Sequence, residues 1–364
     1  MNNYSFDNDS IRNDIINEIK ILSKPCISSN LDNISLISGS SNINLSNKIS
    51  NSLNKPLTIC NINNFSNGEI KVNIEENIRN KDVCIIQSCS QDILNNKSIN
   101  DCLIETLIMI DACKRSMAKT ITLILPCYPY SRQDKKEESR EPISAKLVAN
   151  LLTISGITRL VTIDLHASQI QGFFDIPVDN IYSLNLVINY LENTIFNNLS
   201  ILQRQNEYIL VSPDAGATKR SLKFANVMKL NTVIMHKQRN YEKMNTVDKT
   251  IVIGDTHLLK DKVAIICDDM CDTGGTLLKV IDNLNNYRIK GVIIIVTHGI
   301  FSNNALDRLN NCESILKIIT SDSINQDINF EKYSKLEVFT ISELMSNTIN
   351  NIFSGESLSQ LFNI

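Results

Sequence analysis

Two adjacent carboxylates, Asp268 and Asp269, close an apolar run and are soon followed by Asp272, Thr273, Gly274, Gly275 and Thr276. Carboxylates are wrong for holding phosphate, but they accept hydrogen bonds from sugar hydroxyls, directly or through a metal ion. Glycines let backbone N–H groups approach a ligand closely. A helix starting near Leu277 would turn its positive end, with the threonine hydroxyls, toward a dianion. The stretch 263–276, VAIICDDMCDTGGT, therefore reads as a strand, an acid pair and a phosphate-binding turn, together a pocket for a sugar phosphate.

Other residues carry complementary chemistry. Arg132, Gln133 and Asp134 follow an apolar run, and a guanidinium fork suits phosphate oxygens better than a point charge does. The neighbouring Lys135, Lys136 and Arg140 fit a solvated charge run equally well. His166 and Asp214 follow predicted strands at 160–164 and 208–211, and ligands of open α/β sheets bind beyond the carboxyl ends of strands. A lone histidine is more often a hydrogen-bonded structural residue. Lys237 and Arg239 leave strand 232–235 for a polar stretch ending at Asp255, the composition of a loop that closes over substrates. Alone, they read as surface charges. Phe65, Asn67 and Glu69 combine a flat apolar face with groups able to read a purine edge, although Phe65 alone reads better as core.

The elements that must position these residues follow from hydrophobic periodicity. Apolar runs at 34–37, 83–87, 121–125, 160–164, 208–211, 232–235, 263–267 and 292–297 alternate with segments of helical period. Leu103, Leu107, Ile110 and Cys113 mark a helix over 101–116; Leu147, Leu151 and Ile154 mark another over 143–155, ended by Gly156; a third covers 45–53. Strands rich in Ile and Val without alternation belong to parallel sheets covered on both faces. The rhythm predicts an α/β fold in two similar halves, 34–180 and 181–364, behind an appendage of residues 1–33 with one short helix near 11–21. The Asn-rich stretches 95–100 and 193–205 read as surface loops.

Composition narrows the function classes. A chain of 364 residues has room for about two domains. With 36 basic against 39 acidic residues, a net charge of -3, it lacks the basic surplus expected of a binder of nucleic acid or an anionic membrane. The ten cysteines sit mostly in apolar runs, as free thiols do in a reducing cytoplasm. Cys267 and Cys271 have no second pair at zinc-site spacing. No apolar stretch approaches the roughly 18 residues of a membrane span, and the first residues lack an apolar signal core.

The block 263–276 resembles the signature shared by type I phosphoribosyltransferases and ribose-phosphate pyrophosphokinases. Residues 34–362 then resemble the pyrophosphokinases almost continuously, through NFSNGE (64–69), PYSRQDKK (129–136), REPISAKLVAN (140–150), DLHASQIQGFFD (164–175), VSPDAG (211–216) and THGIF (297–301). The resemblance implies two phosphoribosyltransferase-like domains, each with a mostly parallel sheet flanked by helices. It implies transfer of the β,γ-pyrophosphate of ATP to the C1 hydroxyl of ribose 5-phosphate. By position it places Asp268, Asp269 and the turn from Asp272 to Thr276 on ribose 5-phosphate, and Arg132, Gln133, Asp134 and His166 on ATP. Phe65, Asn67 and Glu69 would hold adenine across a subunit interface; His166 and Asp214 would hold Mg2+; Lys237 and Arg239 would be catalytic. Its phosphate-activated class binds inorganic phosphate or ADP through positions matching Arg79, Arg140, Gln171, Asp179, Asn180, Ser357 and Ser359. Asn77 departs from the serine common beside Arg79 there. A homo-oligomer, often a hexamer built from dimers, is implied as well. A phosphoribosyltransferase would keep the acid pair and turn without needing Arg132, Gln133 or Phe65 to Glu69, and a non-catalytic homologue would have lost Lys237 and Arg239.

Overall fold

A computed structural model describes residues 29–91, 96–238 and 249–362. The helix expected near 11–21 and Arg239 lie outside them. Five strands form a wholly parallel sheet in the order β1 (Ile34–Ser38), β4 (Asp82–Ile86), β5 (Thr120–Ile124), β6 (Arg159–Ile163) and β7 (Val178–Ile181). Between β1 and β4 an antiparallel ribbon of β2 (Cys60–Asn64) and β3 (Ile70–Ile74) stands apart from the sheet. Three helices accompany this half: α1 (Ile43–Ser52), α2 (Ile99–Arg115) and α3 (Ser144–Ser155). Ser98 opens α2 through a capping box, its hydroxyl accepting from Asp101 N–H while the Asp101 carboxylate accepts from Ser98 N–H.

The second sheet has seven strands: β8 (Tyr208–Ser212), β9 (Thr232–Gln238), β10 (Lys249–Ile253), β11 (Val263–Cys271), β12 (Gly291–Gly299), β13 (Ile315–Ser321) and β14 (Leu336–Phe339). Their order is β10-β9-β8-β11-β12-β13-β14, parallel apart from the edge pair β9–β10. Helices α4 (Leu184–Thr194), α5 (Ile201–Glu207), α6 (Thr218–Met228), α7 (Gly275–Asn285), α8 (Ala305–Asn311), α9 (Asp327–Lys332) and α10 (Ser342–Ser354) connect them. The fold is therefore α/β with two mostly parallel sheets flanked by helices, as the apolar runs predict.

Two expectations change. The stretch 193–205 is not all loop: Ser200 and Gln203 make a capping box that starts α5, and buried Arg204 forks onto Glu192 of α4 while lying over the Phe196 ring. Similarly, 98–100 enters α2 instead of continuing a loop. Nine cysteines are described, and all are free. Among the described residues no helix is long and apolar enough to cross a membrane.

The halves do not have wholly separate cores. Leu36, Leu45 and Ile49 of the first half pack with Phe339, Ile341, Met345 and Ile349 of the second, and Leu31 belongs to the same cluster. Asp322, after β13, reinforces this seam: its Oδ2 pairs with Lys48 at 2.8 Å, and its backbone carbonyl accepts from Asn42 at 2.9 Å. The seam fixes the carboxyl edges of the two sheets with respect to each other.

Candidate active site

Strand β11 runs four residues beyond its predicted end. It keeps its ladder with β12 as far as Cys271 opposite Gly299, but pairs with β8 only up to Ile266 opposite Val211. From Cys267 onward one edge is open, facing the 213–217 loop after β8. A cavity of about 420 Å³ occupies that opening. Asp214, Gly216, Arg220, Asp268, Asp269 and the whole turn from Asp272 to Thr276 line it from the second half, and Arg132 and His166 from the first.

The turn leaves β11 through Asp272 and enters α7 at Gly275, two residues before the expected start. Gly274 is the N-cap, with φ 72°, a left-handed conformation that costs a residue with a Cβ about 1–2 kcal/mol. A methyl group there would also come within 3.3 Å of Leu309. Thr273 and Thr276 are exposed and Gly275 is half-buried, so the amino end of an 11-residue helix opens on the cavity. This concentrates unpaired backbone donors and the positive helix end where an anion can reach them. Arg308 of α8 ties the turn down by donating to the Thr273 carbonyl.

The two adjacent acids differ in character. Burial, followed by repulsion from Asp269, pushes the Asp268 carboxyl well above the usual carboxylate range. Burial opposes ionisation of Asp269 too, but hydrogen bonds from His166 and Asp268, with the nearby Arg220 cation, hold it well below that range. His166 Nδ1 lies 2.7 Å from Asp269 Oδ2, and that hydrogen bond raises the imidazole above its ordinary value. Asp272 is half-buried, and hydrogen bonds from Ser302 and Arg132 outweigh burial to keep it ionised. Arg132 Nη2 reaches Asp272 Oδ2 at 2.7 Å, joining the loop after β5 to the 272–276 turn.

The other expected residues are placed less uniformly. Asp214 Oδ1 accepts from Ala217 N–H at 2.9 Å, which shapes the loop into α6. Gln133 accepts from Ser144, and Asp134 accepts from Gln169 at 2.8 Å, so both brace the loop beside Arg132. Phe65, Asn67 and Glu69 form the tip of the β2–β3 ribbon. Phe65 is 52% exposed, which argues against a core role, and none of the three lines the cavity of its own chain. Lys237 is the next-to-last residue of β9, its backbone opposite Thr250. Of the residues expected to bind effectors, Asp179 and Asn180 lie on β7, where Asp179 pairs with Arg159 at 2.8 Å and Asn180 accepts from Leu165 N–H at 3.0 Å. Gln171 bonds to the Ser168 carbonyl, and Arg79 N–H donates to Asn77. Arg140 has φ 71° in the loop before α3. Ser357 and Ser359 bond to each other in the turn after α10.

Sequence reasoning missed Arg220 and Asp164. Asp164, buried, accepts from Ser183 and from Thr297 at 2.6 Å, and it faces Arg220 at 3.6 Å. No spacing rule marks an arginine in the first turn of a helix as a cavity residue. For a metal ion, Asp214 supplies carboxylate oxygens at the cavity and His166 a ring nitrogen, although among the described residues no three metal-binding side chains converge on one point. That donor set fits magnesium, which keeps several waters and takes one or two carboxylates beside substrate phosphates.

Comparisons with known proteins identify the family. The N-terminal domain of ribose phosphate pyrophosphokinase matches residues 34–156, and the phosphoribosyl transferase domain matches residues 177–333. The crystal structure of phosphoribosylpyrophosphate synthetase from Mycobacterium smegmatis is 36% identical, with a TM-score of 0.79, over 89% of this chain and 100% of that one. Purine phosphoribosyltransferase from Pyrococcus horikoshii Ot3 is 18% identical over 33% of this chain and 75% of its own, with a TM-score of 0.25, and adds nothing to that. With both domains present in order and a full-length relative at this identity, the chain belongs to the ribose-phosphate pyrophosphokinase family and functions as a ribose-phosphate diphosphokinase.

Proposed function

We propose that the cavity at the shared sheet edge holds ATP and ribose 5-phosphate, the substrates implied by family membership, in line for displacement at the β-phosphorus. The C1 hydroxyl attacks, the bond from the β-phosphorus to the AMP oxygen breaks, and phosphoribosyl pyrophosphate and AMP leave. One observation carries this: Arg132 of the first half meets Asp272 of the phosphate-binding turn at 2.7 Å, so a triphosphate-binding cation and a sugar-phosphate cradle share one cavity.

Asp268 orients sugar hydroxyls, and the amides of Gly274 and Gly275 with the hydroxyls of Thr273 and Thr276 hold the 5-phosphate. Arg132, Gln133, Asp134 and His166 hold the nucleotide phosphates. Phe65, Asn67 and Glu69 hold adenine, and their absence from the cavity lining of their own chain supports a site completed by a second copy. Asp214 and His166 would hold Mg2+, which offsets charge on the triphosphate oxygens. Lys237 and Arg239 stabilise charge that builds on the bridging and equatorial oxygens. Catalysis is mainly positioning and charge stabilisation. Inorganic phosphate and ADP are the proposed effectors, through Arg79, Arg140, Gln171, Asp179, Asn180, Ser357 and Ser359 in a homo-oligomer. We place the division between the halves at Ile181 and the enzyme in the cytoplasm, whose reducing conditions suit its free cysteines.

The test is AMP release from ATP in the presence of magnesium, with and without ribose 5-phosphate and inorganic phosphate. AMP is expected only with the sugar phosphate. Lys237→Ala should lower turnover about 100-fold or more, while Thr276→Val should chiefly raise KM for ribose 5-phosphate. Sugar-independent AMP release, or a Thr276→Val effect confined to ATP, would refute the assignment.

A further inference from the structure

Asp268 and Asp269 are adjacent and chemically identical, and their sequence pattern assigns both to sugar hydroxyls. Their partners differ: the structure gives the contact with His166 to Asp269. Ala264 and Ile266 of β11 pack into the core of the second half, while Ile265 and Cys267 pack into the core shared by both halves. Alternation therefore starts the two side chains from opposite faces, although both carboxyl groups reach the same cavity and bond to each other there. The face given to Asp269 is the one from which His166 arrives out of the first half, Nδ1 meeting Asp269 Oδ2 at 2.7 Å. Asp269 is only 8% exposed, and its N–H donates back to Asp268 Oδ1 at 2.9 Å.

Resting on the reading above, we infer that Asp269 is a positioning residue of the nucleotide subsite, acting through His166, and that Asp268 alone of the pair holds the sugar. With its Nδ1 proton committed to Asp269, the imidazole has Nε2 to offer a nucleotide phosphate or its metal ion. A carboxylate behind a histidine fixes both ring orientation and tautomer, and losing such a partner costs roughly 10–100-fold in affinity at the histidine's ligand. Because Asp269 belongs to the second half and His166 to the first, the contact also passes the position of β11 to the nucleotide.

Calorimetric titration of the full chain with ribose 5-phosphate, and separately with magnesium and α,β-methylene ATP, tests this. Asp269→Ala should weaken the nucleotide analogue about 10–100-fold, leave ribose 5-phosphate within about twofold, and add nothing to His166→Ala. Asp269→Asn keeps an acceptor without the charge, so it should fall between wild type and Asp269→Ala; it also decides the matter should the alanine variant not fold. Asp268→Asn should show the reverse selectivity. Loss of ribose 5-phosphate binding in the Asp269 variants equal to that in Asp268→Asn, or full additivity with His166→Ala, would overturn the inference alone. If Asp268→Asn leaves ribose 5-phosphate binding intact, the underlying reading fails and takes this inference with it.

Discussion

His166 and Asp269 lie 103 residues apart, yet their side chains set each other's ionisation. The carboxylate raises the histidine above its ordinary 6.5, so their pairing contributes stability in full below that value. The contribution is lost as pH rises through the raised folded-state value. Asp269 is ionised throughout this window, its own pKa being depressed. The difference in Tm between wild type and His166→Ala should therefore be larger near about pH 5.5 than near about pH 8.5; a constant difference would mean that the pairing does not depend on imidazole charge. His166, Asp214, Arg132 and the acid pair were legible because each follows an apolar run and carries a group suited to phosphate, sugar or metal. Arg220 was not, because a cation inside a helical segment looks the same whether it faces solvent or a cavity.

At the level of elements, the join of β11 to α7 depends on one backbone conformation. Gly274 sits at φ 72° against Leu309, so Gly274→Ala should cost about 1–2 kcal/mol in chemical denaturation and raise KM for ribose 5-phosphate. Unchanged stability and KM would show that the turn relaxes freely. The parallel strands could be read from Ile- and Val-rich runs because both faces are covered. The β2–β3 ribbon could not: its strands, CNINN and IKVNI, alternate half-buried and exposed residues among asparagines that read as loop. Strand β11 was predicted too short because Asp268 and Asp269 look like its end, whereas β12 continues the ladder beside them.

For the molecule as a whole, the decisive feature is that a cavity lined by both halves has none of Phe65, Asn67 and Glu69 of its own chain in its lining. If a second copy supplies Phe65, Asn67 and Glu69, then Phe65→Ala and Lys237→Ala subunits, each nearly inactive alone, should complement when mixed. Random reassociation of symmetric dimers would restore about a quarter of wild-type sites. Mixtures no more active than their parents would mean that the tip serves its own chain or does not touch the nucleotide.

By itself the sequence determined the α/β class, two sheets in succession, and the turn chemistry of 268–276, because strand composition, glycine freedom and donor types are local properties. Only the tertiary structure decided which acid faces His166, how far β11 extends, that Arg220 borders the site with Asp164 behind it, and that α1 and α10 share a core. Those depend on contacts between residues tens to hundreds of positions apart, and local spacing does not encode which distant partner will be there.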